Sequence, residues 1–249
     1  MQIQFADNDC ACPDQPLHGH DPRDSTSRDL PVPDYIAALN DDVRGVRIGT
    51  PRPHFFEGCT DVTLAAVEEA IRVLGGLGAR IENCEPLHAA DAPLIGRTIL
   101  LAEAAAYHAQ RFRSQPQLLG PDLRGMLEMG SMFTAVQYLQ AQRTRHVITQ
   151  AFNETMQRFD ALIMPTTPLP PCKASEDNVS VRVPRSRNTM PFNLTGFPAI
   201  SVPCGFTGDG MPIGLQVVGR PFDEGTVLRI ANAYEQATQW HTQHPRQFR

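Results

Sequence analysis

The feature that most constrains the fold is an unbroken apolar run at residues 161–164 (Ala-Leu-Ile-Met), which ends at a Pro-Thr-Thr-Pro segment. A strand that is apolar at every position is buried on both faces, because an exposed face would alternate polar and apolar residues. Helices must therefore cover the sheet from both sides, which is the layered α/β arrangement. Of the 249 residues, 41% are hydrophobic, which is enough for a core of this kind.

A strand–helix–strand unit precedes this run and favours the same fold class. Residues 46–48 form a short predicted strand, which is stopped by Gly49 and two prolines. Thr60 and Asp61 then begin a helix in which apolar residues recur every three or four positions. Residues 79–86 return as a strand, so the whole is a unit of about 40 residues of the kind that builds α/β sheets.

The remaining sequence predicts further helices and strands and one long loop. Helices are expected at 92–112 and 131–159, strands at 199–202 and 213–218, and a last helix after Asp223. Gly-Asp-Gly at 208–210 is the predicted turn of a hairpin between the last two strands, and Pro203 ends the first of them. A loop of about 20 residues after Pro168 is longer than ordinary connections and indicates a functional or mobile segment.

Composition and charge exclude several classes of function. The formal net charge is -5 and the pI about 5.9, so neither nucleic acid nor an anionic membrane is an expected partner. No apolar run approaches the roughly 20 residues that span a bilayer, and the amino terminus lacks the cationic and apolar parts of a secretory signal. We therefore expect a cytoplasmic protein with reduced cysteines.

Common catalytic and cofactor signatures are missing from the sequence. Lys173 is the only lysine and does not follow a glycine, so a Walker A phosphate loop is excluded. The sequence contains no G-x-S-x-G and no H-E-x-x-H, and its Gly-Gly-Leu-Gly at 75–78 ends a helix where a dinucleotide-binding loop would begin one. We expect no cofactor, and lysine chemistry would have to use Lys173 or another chain.

Three groups of residues could carry chemistry, and each has a plainer explanation. Two thiols and two imidazoles could close a zinc site, although a solvated tail without metal is the favoured account: Cys10, Cys12, His18 and His20. Three arginines of the long loop could clamp an anionic substrate or simply be solvated: Arg182, Arg185 and Arg187. Ser201 and Cys204 lie at a strand end, where active sites occur, but neither has a histidine nearby in sequence.

Three segments of the last third resemble motifs of the amidase signature family, in the family's order. Residues 159–168 (FDALIMPTTP) are similar to F-D-A-L-I-x-P-T, and residues 191–205 (PFNLTGFPAISVPCG) to P-x-N-L-x-G-x-P-A-I-S-V-P. Residues 214–224 (GLQVVGRPFDE) are similar to G-L-Q-x-x-G-x-x-x-x-E. The resemblance implies a partial α/β/α sandwich with a mixed sheet, the carboxy-terminal half of the family's domain.

The resemblance also implies that the catalytic half of the domain is absent. Amidase signature enzymes hydrolyse carboxamides with a serine nucleophile, a bridging serine and a lysine base, which lie in an amino-terminal half that this sequence lacks. Lys173 follows the 159–168 motif instead of preceding the serines, so we expect no catalytic residue and no activity from this chain alone. Residues 19–249 are the family portion, and residues 1–18 are a polar tail whose deletion should leave the melting temperature almost unchanged.

Substrate-facing groups are expected at the entry to the most family-like strand. We predict that Thr189, Phe192 and Asn193 bind substrate, although Asn193 could instead satisfy the backbone of a turn. The glutamyl-tRNA(Gln) amidotransferases have a subunit that resembles this region, but it carries an aspartate where this chain has Ser186 and an R-Y-G run where it has Arg-Phe-Arg-Ser at 111–114. A general amidase is therefore the favoured subclass.

Three functions remain open on the sequence. The first is an amide hydrolase that a partner chain completes, and its substrate is then a small-molecule amide. The second is a non-catalytic remnant that binds a small molecule or a partner, and the third is a protein related to that amidotransferase component. Half a domain would leave strands 161–164 and 199–202 with unpaired edges, which favours a partner chain or a homo-oligomer.

Overall fold

The computed structural model describes residues 20–24, 27–176 and 179–243. The strands in this part are β1 (Arg47–Pro51), β2 (Arg80–Cys84), β3 (Ala161–Pro165), β4 (Ala199–Phe206) and β5 (Pro212–Gly219). They form one sheet in the order β2-β1-β3-β5-β4. Strands β2, β1 and β3 are parallel, and β5 is antiparallel to both of its neighbours. The predicted α/β class with a mixed sheet is confirmed.

Helices precede and follow these strands along the chain. The α-helices in the described part are α1 (Tyr35–Ala38), α2 (Arg52–Phe55), α3 (Asp61–Gly76), α4 (Ala92–Ser114), α5 (Pro121–Ser131), α6 (Ala135–Arg158), α7 (Val179–Ser186), α8 (Met190–Thr195) and α9 (Glu224–Gln236). The first turns of α3, α6 and α9 are capped by Thr60, Thr134 and Asp223, whose side-chain oxygens accept backbone N–H groups. Among the described helices we find no candidate for a membrane span.

The two faces of the sheet carry separate hydrophobic cores. On one face, which we call the α3/α9 face, the two helices pack on Ala161 and Ile163 of β3 and on Leu215 and Val217 of β5. On the opposite face, which we call the α4/α6/α8 face, three helices pack on the remaining apolar side chains of β3 and on Val218. Every residue of β3 is buried, as expected for a strand covered on both sides.

The structure differs from the sequence-based expectation in three elements. The helix predicted over 131–159 is α6, which begins only at Ala135 after a capping box at Thr134, and Ser131 is the last residue of α5, a helix that the sequence analysis does not predict. The expected loop after Pro168 contains α7. Strand β4 does not end at Pro203 but continues to Phe206, with a register shift between Pro203 and Gly205.

The prediction of two unpaired strands is half right. The edge predicted at residues 161–164 is wrong, because β3 is paired with β1 on one side and with β5 on the other. Strand β4 is an edge within the described part of the chain, since β5 is its only neighbour there. The order of strands along the chain did not reveal that the β4–β5 hairpin folds back beside β3.

Candidate functional site

The candidate site lies at the carboxyl ends of β1 and β3. Strand β1 lies between β2 and β3 in the sheet. The connection from β1 to β2 runs through α3 on one face, and the connection onward to β3 runs through helices on the opposite face. The crevice between two strands whose connections diverge in this way is where ligands bind in α/β sheets. The segment between α7 and α8 lies against this crevice.

Asn188 links the end of β3 to α2, the short helix that follows β1. Its side chain is fully buried, and its Nδ2 group donates to the carbonyl oxygens of Phe55 and Pro165, each at 2.9 Å. The Nε2 group of Gln216, from β5, donates to the Asn188 carbonyl at 3.1 Å. Within the described part, Asn188 Oδ1 has no hydrogen-bond partner. A buried acceptor of this kind is costly unless a water or ligand satisfies it.

Arg187 fixes the chain that follows β1. Its guanidinium donates to the carbonyl oxygens of His54 and Glu57. The same group lies 3.3 Å from His54 Nδ1, and His54 Nε2 lies 3.4 Å from the Arg187 carbonyl. This pattern fits a neutral imidazole that accepts at Nδ1 and donates at Nε2. Burial, with the Arg187 charge as a second cause, lowers the pKa of His54, so the neutral form is favoured.

Two hydroxyl groups form the exposed part of the site. Thr166 Oγ1, just after β3, and Ser201 Oγ, on β4, are 2.6 Å apart. They lie over Gly214 of β5, where an added Cβ atom would come within 2.5 Å of Ser201 Oγ and 2.7 Å of Thr166 Oγ1. Glycine at position 214 is therefore what leaves space for both hydroxyls. A shallow cavity of about 260 Å³ opens between them and Pro203.

The sequence candidates for a nucleophile are not activated in this structure. Ser201 is hydrogen-bonded to the hydroxyl of Thr166 and not to a base. Cys204 is buried, and burial raises the pKa of its thiol to about 12, so it is a neutral core residue. Lys173 lies exposed in the connection that follows β3.

The arginines of the long connection have different surroundings. Arg187 is the one that borders the crevice. Arg185 donates to Cys172 Sγ at 2.8 Å and to the Pro170 carbonyl at 2.6 Å. Its guanidinium therefore stabilises the connection that follows β3. Arg182 is outside the described side chains. Of the proposed zinc ligands only His20 is described, and among the residues that the structure covers no group of three metal-ligating side chains comes together.

The predicted substrate-binding residues occupy three different environments. Phe192 is 3% exposed and packs between Phe55 and Phe152, with ring centroids 5.7 and 5.6 Å away. Thr189 is half-buried, and its hydroxyl donates to the Ser186 carbonyl. Asn193 is exposed on α8. Of the three, Asn193 is the side chain that is open to a ligand, and their proposed contact with substrate stays a prediction.

Sequence reasoning missed Asn188 and His54 as members of the site. Asn188 directly precedes the predicted residue Thr189, but no pattern separates its environment from that of Asn193. The backbone of His54 has a φ of 69°, which is unusual for a residue other than glycine. No sequence pattern predicts this conformation. Gln216 had a usable signal, because it is a polar residue inside an otherwise apolar strand.

Comparisons with known proteins assign the family. A family model described as Amidase matches residues 8–228, so the match begins inside the segment 1–18. An amidase from Pseudomonas putida is 40% identical over 239 residues, which cover 93% of this chain and 51% of the relative. The A-type subunit of the glutamyl-tRNA(Gln) amidotransferase from Halalkalibacterium halodurans is 37% identical over 257 residues, covering 93% and 53%. This chain spans about half the length of these relatives.

A solved structure agrees with these matches. The crystal structure of the A-type subunit of the glutamyl-tRNA(Gln) amidotransferase from Thermotoga maritima is similar with a TM-score of 0.75 and 28% identity. The similarity covers 88% of this chain and 48% of that chain. The family model, the relatives and the fold point the same way, and the chain belongs to the amidase signature family.

Proposed function

We propose that this chain is one part of a carboxamide hydrolase and forms one wall of its active site. The observation that carries the proposal is the polar surface at the carboxyl end of β3, where Ser201 is exposed, Thr166 is half-buried and both hydroxyls are uncharged. Neutral donors and acceptors suit an amide, which carries no charge and has both a carbonyl oxygen and N–H groups. Membership of the amidase signature family supports the same reaction class.

The nucleophile is supplied by the other part of the domain. In the proposed reaction a serine of that part attacks the amide carbonyl carbon, and a lysine takes the serine proton and passes it to the leaving nitrogen as the C–N bond breaks. Water then hydrolyses the acyl ester. This chain orients the amide, and alone it should be inactive because Ser201 faces Thr166 and not a base. Thr189, Phe192 and Asn193 are the proposed substrate-binding residues.

A reconstitution experiment tests this function. The chain is co-expressed with the part of the Pseudomonas putida amidase that it does not match, and ammonia release is measured for aliphatic and aromatic primary amides. We expect turnover with both parts and none with either alone. Turnover by the chain alone, or a stable complex without turnover of any amide, would contradict the proposal.

A lysine variant is the matched control. Lys173 is exposed in the connection after β3, and the proposed lysine base belongs to the other part, so Lys173→Ala should leave the reconstituted turnover unchanged. Asn193→Ala should instead raise KM while leaving the free energy of unfolding nearly unchanged, because its side chain is exposed. If Lys173→Ala abolishes turnover, the lysine base is in this chain and the division of roles is wrong.

A second candidate function is a component of an amidotransferase that acts on glutamyl-tRNA(Gln). The relatives of that name at 37 and 38% identity favour it. Against it, position 186 is a serine, whose Oγ donates to the Val183 carbonyl at 3.1 Å. The reconstituted protein separates the two candidates, since the amidotransferase hypothesis requires ammonia release from glutamine and the general amidase does not.

A further inference from the structure

The backbone at His54, just beyond the carboxyl end of β1, has an unusual conformation. Its φ of 69° and ψ of -56° are close to the angles of the rare, strained form of the γ-turn. A residue other than glycine keeps such angles only where its surroundings hold it, and such residues cluster at functional sites. His54 is 8% exposed, so its contacts inside the protein are what hold the turn.

Arg187 holds both the backbone and the ring of His54. Its guanidinium donates to the His54 carbonyl and lies 3.3 Å from His54 Nδ1, while His54 Nε2 lies 3.4 Å from the Arg187 carbonyl. The next residue, Asn188, donates from its side chain to the carbonyl oxygens of Phe55 and Pro165. The two residues together tie the segment before α8 to α2 and to the end of β3.

This segment leads directly into the proposed substrate-binding residues. Arg187 lies two positions before Thr189. The Thr189 carbonyl accepts the backbone N–H groups of both Phe192 and Asn193, each at 3.2 Å. The position of Thr189 therefore sets the first turn of α8. A displacement of Arg187 would be passed to that turn, because a single residue separates it from Thr189.

The contacts with Arg187 require a neutral imidazole. Nδ1 must accept from the guanidinium, and a proton on Nδ1 would turn this acceptor into a donor that faces another donor. It would also place two positive charges side by side in a largely buried environment. Burial, with the Arg187 charge as a second cause, lowers the pKa of His54 and thereby favours the neutral form.

The other groups around His54 offset this repulsion only weakly. Among the described residues, Glu57 is the other charged group that acts on the ring, and its carboxylate lies 3.7 Å from the Arg187 guanidinium. Its side chain is 67% exposed, so water screens its charge. The Cys59 thiol stays neutral because burial raises its pKa to about 11, and neither β3 nor α8 contains a charged residue. Protonation of His54 should therefore displace Arg187.

We propose that His54 is a positioning residue of the amide hydrolase and that its charge regulates substrate binding. The neutral imidazole holds Arg187, and through it residues 189–193, in the arrangement that binds the amide, and protonation of the imidazole releases them. This inference rests on the proposed function. His54 itself does not touch the substrate, so its protonation should weaken amide binding and leave the chemical step unchanged.

The pH dependence of KM tests this role. Wild-type chain or His54→Asn is co-expressed with the part of the Pseudomonas putida amidase that it does not match, and hydrolysis of an uncharged amide is measured from about pH 7.5 to about pH 4.5. Asparagine offers an acceptor in place of Nδ1, tolerates a positive φ and does not titrate. We expect the ratio of the wild-type KM to the His54→Asn KM to rise about two- to tenfold below about pH 6.5, while the ratio of the kcat values stays constant. Taking ratios cancels the titration of every group that the two proteins share.

Two arginine variants show whether His54 acts through Arg187. Arg187→Gln removes the guanidinium that the imidazole holds, so its KM should already be raised at neutral pH and should lack the rise in acid. Arg185→Gln is the matched control, since this arginine lies two positions earlier and bonds to Cys172 and to the Pro170 carbonyl. Arg185→Gln should keep the wild-type pH dependence of KM.

Hydrogen exchange on the chain alone gives a readout that needs no turnover. Exchange is followed by mass spectrometry at neutral and at acid pH and is expressed relative to the intrinsic rate at each pH. Residues 187–196 should exchange faster in acid in the wild-type chain but not in His54→Asn, because only the histidine gains a charge there. Helix α9, which does not contact this segment, should exchange alike in both proteins.

The outcomes separate this role from the proposed function. A constant KM ratio, a rise in acid that Arg187→Gln retains, or equal exchange of residues 187–196 in wild type and His54→Asn would each overturn the proposal. A reconstituted protein that hydrolyses no amide refutes the proposed function, and the exchange measurement then still decides whether His54 holds this segment. Turnover with a constant KM ratio refutes the role of His54 and leaves the proposed function standing.

Discussion

Replacing Asn188 tests whether the candidate site is held together as the structure indicates. Asn188→Ala removes the donor to the carbonyl oxygens of Phe55 and Pro165, both bonded at 2.9 Å by a fully buried side chain. The Pro165 carbonyl would be left without a partner, which costs about 1–3 kcal/mol, and the Phe55 carbonyl would keep only the weak thiol donor of Cys59 at 3.4 Å. Deleting the unpartnered Oδ1 returns about 1–3 kcal/mol, since that atom is itself buried and unsatisfied. We expect a net loss of about 1–2 kcal/mol in the free energy of unfolding.

The matched control is Asn193→Ala, because the two asparagines lie in one short segment but in opposite environments. Asn193 is exposed, so its replacement should change the free energy of unfolding by less than about 0.5 kcal/mol. Urea denaturation followed by far-UV circular dichroism measures both variants, and fluorescence of the single tryptophan, Trp240, checks that one transition is seen. An Asn188→Ala midpoint equal to wild type, or an equal loss in Asn193→Ala, would refute the reasoning.

Three further outcomes are expected. Phe192→Ala should lower the free energy of unfolding by about 3–5 kcal/mol, because the ring is 3% exposed and packs between two other rings. A small loss of stability in urea denaturation would show that the ring does not belong to the core. Burial, with the Arg187 charge as a second cause, lowers the pKa of His54, so the folded state resists its protonation and thermal stability should decline as the pH falls below about 6.5. A flat profile there, or an equal decline in His54→Asn, would contradict this. The hydrogen bonds from Arg47 lower the pKa of Asp160 to about 2. The stability that this ion pair adds to the folded state should therefore be present above about pH 4 and be lost as the pH falls towards 2. In Asp160→Asn, thermal stability should not show this decline between about pH 4 and 2.

Local sequence patterns determined most elements of this protein because the causes are local. The apolar run in β3 predicted burial on both faces of the sheet, and every residue of β3 is buried in the structure. The polar residues that cap α3 and α9 were readable before the structure, since a cap needs only its own first turn. The family motifs of the last third likewise led to the family that the comparisons assign.

Only the tertiary structure decided which strands are neighbours and which polar groups meet. The β4–β5 hairpin covers one edge of β3 and, within the described residues, makes β4 the edge of the sheet, which follows from packing between segments distant in sequence. For the same reason the sequence singled out Asn193, in a recognisable motif, while the buried link is Asn188, which bonds residue 55 of α2 and residue 165 of β3. A hydrogen bond between residues more than a hundred positions apart produces no recognisable spacing pattern in the sequence, because only the fold brings its donor and acceptor together.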